Sequence, residues 1–231
     1  MDVLHPAKFS KTVLKELQAI VDDERARVPI REWLNILDPF AGTGRIHELA
    51  DWKRNIETFG IEIEPEWAHL HPNTQVGDAT ALPFEVRSVQ MVVTSCTYGN
   101  RLADHHQPKD ASIRRSYTFD LRNMTGDPTR ELARNNTGLY LFTNPRYKAL
   151  HEAAWREVWR VLVPGGLFVL NISDFIRNKK VVNVVRWHID KLMDMGFSVE
   201  KEIEVPTPRL RFGAHMEARV AHEKIFCMRR P

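Results

Sequence analysis

The sequence predicts an α/β fold, in which a mostly parallel sheet of seven strands carries helices on both faces and ends in an antiparallel hairpin. Short apolar runs alternate along the chain with segments whose apolar residues recur at helical spacing, a pattern typical of parallel sheets. Two further apolar runs, over 197–205 and 223–228, come last and predict the hairpin. The chain of 231 residues is long enough for a single domain with one core.

The first predicted element is a helix within an N-terminal segment over residues 1–30. Ser10 has the residue type of an N-cap, and the apolar residues after it share one helical face. These residues are Val13, Leu14, Leu17, Ile20 and Val21. Five strands follow, which end at Asp38, Glu62, Val76, Thr94 and Ile172. Helices are predicted after the first strand as far as Ala50, over 148–161 and over 181–195, with a tight turn over 164–166.

Composition and charge place the chain among soluble globular proteins. The formal net charge of +3 permits a polyanionic partner without requiring one. The two cysteines, Cys96 and Cys227, are far apart, so neither a disulfide framework nor a CxxC metal site is predicted. His105 and His106 have no second ligand pair at zinc-like spacing, and we expect no metal. We expect a cytoplasmic protein without a membrane partner, because the N-terminus lacks a signal-peptide pattern and no apolar stretch reaches transmembrane length.

The most informative motif is the glycine-containing segment Asp-Pro-Phe-Ala-Gly-Thr-Gly over 38–44, which follows the first predicted strand. Glycine allows the backbone to turn sharply and to approach a ligand closely, and parallel sheets bind ligands at the carboxyl ends of their strands. A dinucleotide-binding fingerprint requires a third glycine three residues after the second, where this chain has His47. S-adenosylmethionine (SAM) carries no phosphate and does not need that feature.

Acidic residues follow three successive strands. Glu62 ends the second strand, at the spacing where a carboxylate accepts both ribose hydroxyls of a nucleoside. Asp78 follows the third strand and is predicted to accept the adenine amino group, with Ala79 leaving room for the ring. Asp38 is a candidate for the methionine ammonium. The alternative for any single one of these acids is a solvated surface carboxylate, but their common position at strand ends favours a nucleoside site.

These motifs resemble, in order, the SAM-binding motifs of class I methyltransferases, over about residues 5–175. The segments that carry the resemblance are DPFAGTG, GIEIEP, GDATALPF and VLVPGGLFVL. DPFAGTG is similar to the form found in DNA amino-methyltransferases, which modify adenine N6 or cytosine N4, including phage and actinobacterial relatives. HPAKFS, over 5–10, resembles the short segment that those enzymes place beside the cofactor. The resemblance implies SAM as the cofactor, bound by Lys8, Phe9, Asp38, Phe40, Ala41, Gly42, Gly44, Glu62, Ile63, Asp78, Ala79 and Ser95.

The segment after the fourth strand, Thr-Ser-Cys-Thr-Tyr-Gly-Asn-Arg over 94–101, resembles the Thr-Ser-Pro-Pro-Tyr-Gly-Asn-Arg motif of those enzymes. The resemblance implies that Ser95 Oγ and the Cys96 carbonyl accept the hydrogens of the target amine, while Tyr98 stacks on a flipped-out base. Cysteine and threonine replace the two prolines, so the fixed φ angles of proline are lost. The loop therefore needs other contacts to hold its shape.

Cys96 raises a different chemistry. A cysteine after the fourth strand is the nucleophile of C5-pyrimidine methyltransferases, in which a thiolate attacks the ring. Those enzymes have proline before the cysteine, where this chain has Ser95. The alternative interpretation is a small residue at the end of a strand, which the sequence favours.

The polar stretch over about 99–147 is too long for an ordinary connection and predicts a substrate-side insertion. It is rich in basic and aromatic residues, which suit phosphates and bases, although its acidic residues also fit a solvated lid. Tyr98, Asn100, Arg101, Arg114 and Arg115 are predicted to bind the substrate. A second segment, 171–174, is predicted either to line the substrate side or to cap the next turn.

The leading functional hypothesis is SAM-dependent methylation of an exocyclic amine in DNA. Two alternatives stay open: methylation of RNA or of a small molecule, and a SAM-binding protein that has lost activity and has a structural or regulatory role. The two missing prolines favour the last alternative. The sequence leaves the oligomeric state open.

Overall fold

The computed structural model describes residues 9–99, 117–130, 132, 141–177, 180–206, 220 and 222–231, with the backbone alone for 117–120. The strands are β1 (Leu34–Asp38), β2 (Ile56–Glu62), β3 (Thr74–Val76), β4 (Val89–Thr94), β5 (Leu162–Ile172), β6 (Phe175–Arg177), β7 (Lys180–Val182), β8 (Ser198–Pro206) and β9 (His222–Arg229). The α-helices are α1 (Lys11–Arg27), α2 (Pro65–Ala68), α3 (Tyr117–Thr125), α4 (Pro145–Val161) and α5 (Val184–Asp194). Two 3₁₀ helices cover Arg45–Leu49 and Trp52–Arg54.

Seven strands form one sheet in the order β3-β2-β1-β4-β5-β9-β8. The pairs from β3 to β5 are parallel, and β9 pairs antiparallel with both β5 and β8. The predicted mostly parallel sheet with a terminal antiparallel hairpin is therefore confirmed. In addition, β6 and β7 form a separate antiparallel pair that the sequence did not predict.

Helices cover both faces of the sheet, as predicted, because successive residues of a strand point to opposite faces. In β5, Phe168 packs in the core cluster that contains α4 and α5, whereas Val169 packs in the cluster that contains α1. In β1, Leu37 packs in the cluster of α4 and α5, and Ile36 packs in the cluster of α1. The central strands are therefore buried on both sides, which explains their nearly continuous apolar sequences.

The local signals at the first helix act as predicted. The Ser10 side chain accepts a hydrogen bond from the backbone N–H of Val13 at 3.1 Å, which caps α1. All five residues of the predicted apolar face are buried. Among the described residues, no helix is both long enough and apolar enough to cross a membrane.

Three predicted helices differ from the observed elements. The helix predicted over 148–161 begins earlier, at Pro145, where the Asn144 side chain caps it by accepting from the Arg146 N–H. After the glycine-containing segment, the chain forms only the short 3₁₀ helix Arg45–Leu49, because Asp51 already forms a β-bridge with Ile56 and leaves little room for further turns. The predicted helix over 181–195 begins at Val184, since the residues before it pair with β6. The predicted tight turn over 164–166 lies within β5, where Gly165 has a positive φ of 76°.

The order of the strands creates a crevice beside β1. The chain runs from β1 through β2 to β3 on one side of the sheet and then crosses to β4 on the other side. At such a switch point, the connections that follow the adjacent strands β1 and β4 run in opposite directions and open a space at the carboxyl ends of the strands. The glycine-containing segment lies at this place.

We expect Gly60→Ala to destabilise the fold by about 2 kcal/mol, because overpacking of a tight interior costs energy of this order. A Cβ atom at Gly60 would lie 2.7 Å from Ala41 Cβ and 2.7 Å from Thr74 Oγ1, between β3 and the glycine-containing segment. Gly77→Ala is the matched control, since its nearest contact is Ile61 Cγ2 at 3.1 Å. Urea unfolding measures both variants, and equal stabilities would contradict the expected crowding at Gly60.

Candidate functional site

The glycine-containing segment forms a turn across the carboxyl ends of β1 and β2. Gly42 and Gly44 have positive φ angles of 53° and 78°, which residues with a Cβ atom rarely adopt. The N–H of Ala41 donates to the Ile61 carbonyl at 2.9 Å and fixes the turn to β2. The sequence prediction of a sharp turn at this place is confirmed.

Asp38 connects the turn to two strands. Its carboxylate is 2% exposed, and one oxygen accepts hydrogen bonds from Thr94 Oγ1 at 2.6 Å and from the Phe40 N–H at 3.0 Å. Burial raises the pKa of Asp38 to about 7, although these two hydrogen bonds act in the opposite direction. The described residues provide no Lys or Arg partner for this carboxylate, so it is suited to a cationic ligand.

Glu62 is held in a fixed orientation by backbone groups. Its Oε2 atom accepts from the Gly42 N–H and its Oε1 atom from the Glu64 N–H, both at 2.9 Å. Burial is the largest cause that raises its pKa to about 7, with smaller contributions from the charges of Glu64 and Asp38. Each carboxylate oxygen has a second lone pair, so the group can still accept two hydroxyl donors.

Asp78 and Ala79 follow β3 beside the same crevice. One oxygen of Asp78 accepts from both the N–H and the hydroxyl of Thr80 at 2.8 Å, and Ala79 is buried against the core. Among the other residues predicted to bind the cofactor, Phe40 and Ile63 are half-buried. Phe9 packs in the core cluster of α1, and Lys8 lies outside the described residues.

The predicted catalytic residues lie together in the loop after β4. Ser95 Oγ is 3.3 Å from Tyr98 Oη and accepts a long hydrogen bond of 3.4 Å from Asn171 Nδ2. Asn171 also donates to Glu223 at 2.8 Å, which brings the end of β5 next to Ser95. Within the segment 171–174, Asn171 thus contacts the loop after β4, whereas Asp174 accepts from the Val185 N–H near the start of α5.

The sequence did not reveal the groups that anchor this loop. The hydroxyl of Tyr147, in α4, donates to the Thr97 carbonyl at 2.7 Å. The N–H of Phe142 donates to the Gly99 carbonyl at 3.0 Å. The spacing of Tyr147, His151 and Trp155 could have indicated these groups, because residues four positions apart lie on one face of a helix.

The Cys96 thiol lies in the core, which disfavours the nucleophilic alternative. Its residue is 2% exposed, and burial raises the pKa of the thiol far above its usual range. A nucleophilic cysteine needs an accessible thiolate, which this environment opposes.

Cys96, His151 and His188 form a buried cluster whose potential ligand atoms lie within 4.8 Å of one another. His151 Nδ1 donates to the Tyr147 carbonyl, so its Nε2 atom carries a lone pair without a partner among the described residues. Both nitrogens of His188 are engaged, with Trp155 Nε1 and with Tyr147 Oη. The cluster therefore offers one unengaged imidazole nitrogen rather than two, and the expectation that no metal binds stays a prediction.

The stretch over 99–147, which the sequence predicts to be a substrate-side insertion, is attached to the start of α2 by an ion pair. Arg130 contacts Glu64, which is fully buried, at 2.7 Å, and Glu66 at 2.7 Å. This basic residue of the insertion is thus engaged within the protein. The predicted substrate-binding residues Asn100, Arg101, Arg114 and Arg115 lie outside the part of the chain that the structure describes.

Comparison with known proteins identifies the fold. No protein-family model and no curated protein sequence match this chain. In structure, the chain is similar to the [4+2]-cyclase SpnF, with 12% identity, coverage of 94% of this chain and 82% of that chain, and a TM-score of 0.53. It is similar to the complex of the Haloferax volcanii Trm112 methyltransferase activator and a putative methyltransferase, with 15% identity, coverage of 94% and 93%, and a TM-score of 0.53. It is also similar to a SAM-dependent methyltransferase from Methanosarcina mazei, with 13% identity, coverage of 91% and 96%, and a TM-score of 0.52.

The chain therefore has the Rossmann-like fold of class I methyltransferases. At these identities the likeness defines the fold alone. Because a [4+2]-cyclase shares the fold, the fold does not determine the reaction, which depends on the residues of the site.

We expect Asp38→Asn to be more stable than the wild type at neutral pH, by an energy on the order of a few kcal/mol. The folded-state pKa of Asp38 is raised from 3.8 to about 7, so folding opposes its ionisation. The wild type therefore loses stability relative to the variant as the pH rises from about 4 to about 7. Asparagine keeps an oxygen for Thr94 and Phe40.

Thermal unfolding between pH 4 and pH 8 measures this difference. Asp22→Asn is the matched control with the opposite sign, because Arg54 lowers the pKa of Asp22 and its ionised form stabilises the folded state. A stability difference between Asp38→Asn and the wild type that does not change with pH would contradict the raised pKa of Asp38.

Proposed function

We propose that this chain binds SAM at the glycine-containing turn and transfers its methyl group to an exocyclic amine of a DNA base. The observation that carries the proposal is the pair of buried carboxylates, Asp38 and Glu62, on either side of that turn. Both lie at the switch point of the sheet, where folds of this type bind nucleosides.

The charges and hydrogen-bonding groups of the pocket fit SAM. Glu62 would accept the two ribose hydroxyls, in an orientation already fixed by the N–H groups of Gly42 and Glu64. Asp38 would take the methionine ammonium, which supplies the cation that this buried carboxylate lacks among the described residues. Asp78 would accept the adenine amino group, and Ala79 would lie against the ring.

Ser95, Cys96 and Tyr98 would prepare the acceptor amine. SAM supplies an electrophilic methyl group on a positively charged sulfur. An exocyclic amine is a poor nucleophile because its lone pair is conjugated with the ring. Ser95 Oγ and the Cys96 carbonyl would accept hydrogen bonds from its two N–H groups and turn the lone pair away from the ring. As the nitrogen–methyl bond forms, the sulfur–methyl bond breaks, S-adenosylhomocysteine is left, and the nitrogen loses one proton to water. Tyr98, whose hydroxyl lies 3.3 Å from Ser95 Oγ, would stack on the base.

Two alternatives stay open. Methylation of RNA or of a small molecule would use the same proposed SAM site with a different acceptor. A SAM-binding protein without methyl transfer is favoured by the absence of the two motif prolines, and SpnF is a [4+2]-cyclase with this fold. The Haloferax volcanii neighbour was solved with an activator protein, so a partner subunit that supplies recognition is part of the proposal.

We expect calorimetry to detect SAM binding and Glu62→Ala to weaken it about 10- to 100-fold, since hydrogen bonds to a charged group contribute about 1.5–3 kcal/mol. Glu48→Ala, on the exposed side of Arg45–Leu49, is the matched control and should bind like the wild type. The affinity should rise between pH 6 and pH 8, because both carboxyls have pKa values raised to about 7 and bind as carboxylates. Absence of SAM binding by the folded wild type would overturn the proposal.

Transfer from tritiated SAM to unmethylated DNA, RNA and small-molecule pools, followed by mass spectrometry of nucleosides, identifies the acceptor. N6-methyladenine or N4-methylcytosine supports the proposed reaction, and Ser95→Ala should then lower kcat about 10²-fold through lost positioning. Label in RNA or in a small molecule supports the first alternative. Binding of SAM without any transfer supports the second, and 5-methylcytosine would implicate the Cys96 thiol.

A further inference from the structure

A chain of hydrogen bonds under the loop after β4 connects two helices to Thr97. Trp155 Nε1, in α4, lies 3.1 Å from His188 Nδ1, in α5. His188 Nε2 lies 2.9 Å from Tyr147 Oη, which lies 2.7 Å from the Thr97 carbonyl oxygen. The three side chains are fully buried, so water does not compete with these contacts.

The chemistry of the groups determines the position of each proton. An indole N–H can only donate, so His188 Nδ1 is the acceptor and the imidazole proton is on Nε2. A carbonyl can only accept, so the single hydroxyl proton of Tyr147 is directed to Thr97. The Tyr147 oxygen then accepts from His188 Nε2–H. One arrangement of protons satisfies every contact, and each bond strengthens the next.

These hydrogen bonds end at Thr97, which stands where the related motif has its second proline. Proline fixes φ within the chain itself, whereas Thr97 has a free φ angle. Here the carbonyl of Thr97 is held from outside by Tyr147. Ser95 and Cys96 precede this anchor and Tyr98 follows it directly, so the groups that would contact the amine lie on both sides of it.

We propose that Tyr147 and His188 are positioning residues, which hold the loop over 95–98 in its productive shape in place of the two missing prolines. The inference rests on the proposed function, because it concerns the loop that would orient the acceptor amine. It also accounts for two buried polar side chains that apolar residues would otherwise replace at lower cost.

The test removes a single hydroxyl. We expect Tyr147→Phe to lower kcat about 10²-fold, because a small misplacement of reacting groups has effects of this size. The affinity for SAM should stay unchanged, since Asp38 and Glu62 make no hydrogen bond with Trp155, His188 or Tyr147. Val158→Ala is the matched control, because Val158 is buried in the same core and on the same helix but lies outside the hydrogen-bonded chain. We expect its kcat to stay within about twofold of the wild type, although it loses packing energy.

Rescue and hydrogen exchange separate positioning from general softening of the core. Thr97→Pro in the Tyr147→Phe background restores a proline of the related motif and should recover part of the lost kcat. In Tyr147→Phe, the amides of Cys96 and Tyr98 should exchange about tenfold faster, which corresponds to the loss of one buried hydrogen bond. The amides of the central sheet should exchange as in the wild type and serve as the internal reference.

Several outcomes overturn the inference. They are an unchanged kcat and unchanged loop exchange in Tyr147→Phe, or an equal loss of kcat in Val158→Ala. If Tyr147→Phe does not fold, Trp155→Phe replaces it, because without the indole N–H the His188 ring can change its tautomer and release Tyr147. If the wild type binds no SAM, the proposed function fails, whereas loop exchange still decides whether Tyr147 anchors Thr97.

Discussion

The burial of Asp38 is the constraint on which the site depends. Its carboxylate lies where β1 ends, accepts from Thr94 at the end of β4, and fixes the start of the glycine turn through Phe40. A buried carboxylate without a cation opposes folding, and the raised pKa of about 7 expresses that cost. Such a position suits a charged ligand better than it suits stability, in line with the proposed contact to the ammonium of SAM.

Much of the fold could be predicted because its signals are local. The third and fourth strands have the predicted bounds, because β4 is a short apolar run and β3 directly precedes Gly77 and Asp78. The face of α1 follows from the spacing of five apolar residues. The β6–β7 pair could not be predicted, because each strand has three residues and exists only through its partner. The short length of the 3₁₀ helix after the turn could not be predicted either, since the bridge between Asp51 and Ile56 limits it.

The candidate site divides in the same way. The glycine turn and the acids at strand ends are recognisable because each directly follows a strand along the chain, and the ends of these parallel strands lie at one edge of the sheet. Tyr147 and His188 are not, since they lie on different helices and meet Thr97 only after α4 and α5 have packed. The missing prolines indicated that the loop needed support, but only the tertiary structure identifies its source.

The contact of Arg130 with Glu64 has a consequence for how the insertion can diverge. Glu64 is fully buried and its N–H holds Glu62, so the contact with Arg130 ties the insertion to a residue that fixes the orientation of Glu62. A graft that exchanges this insertion for another should therefore keep a cation at the position of Arg130.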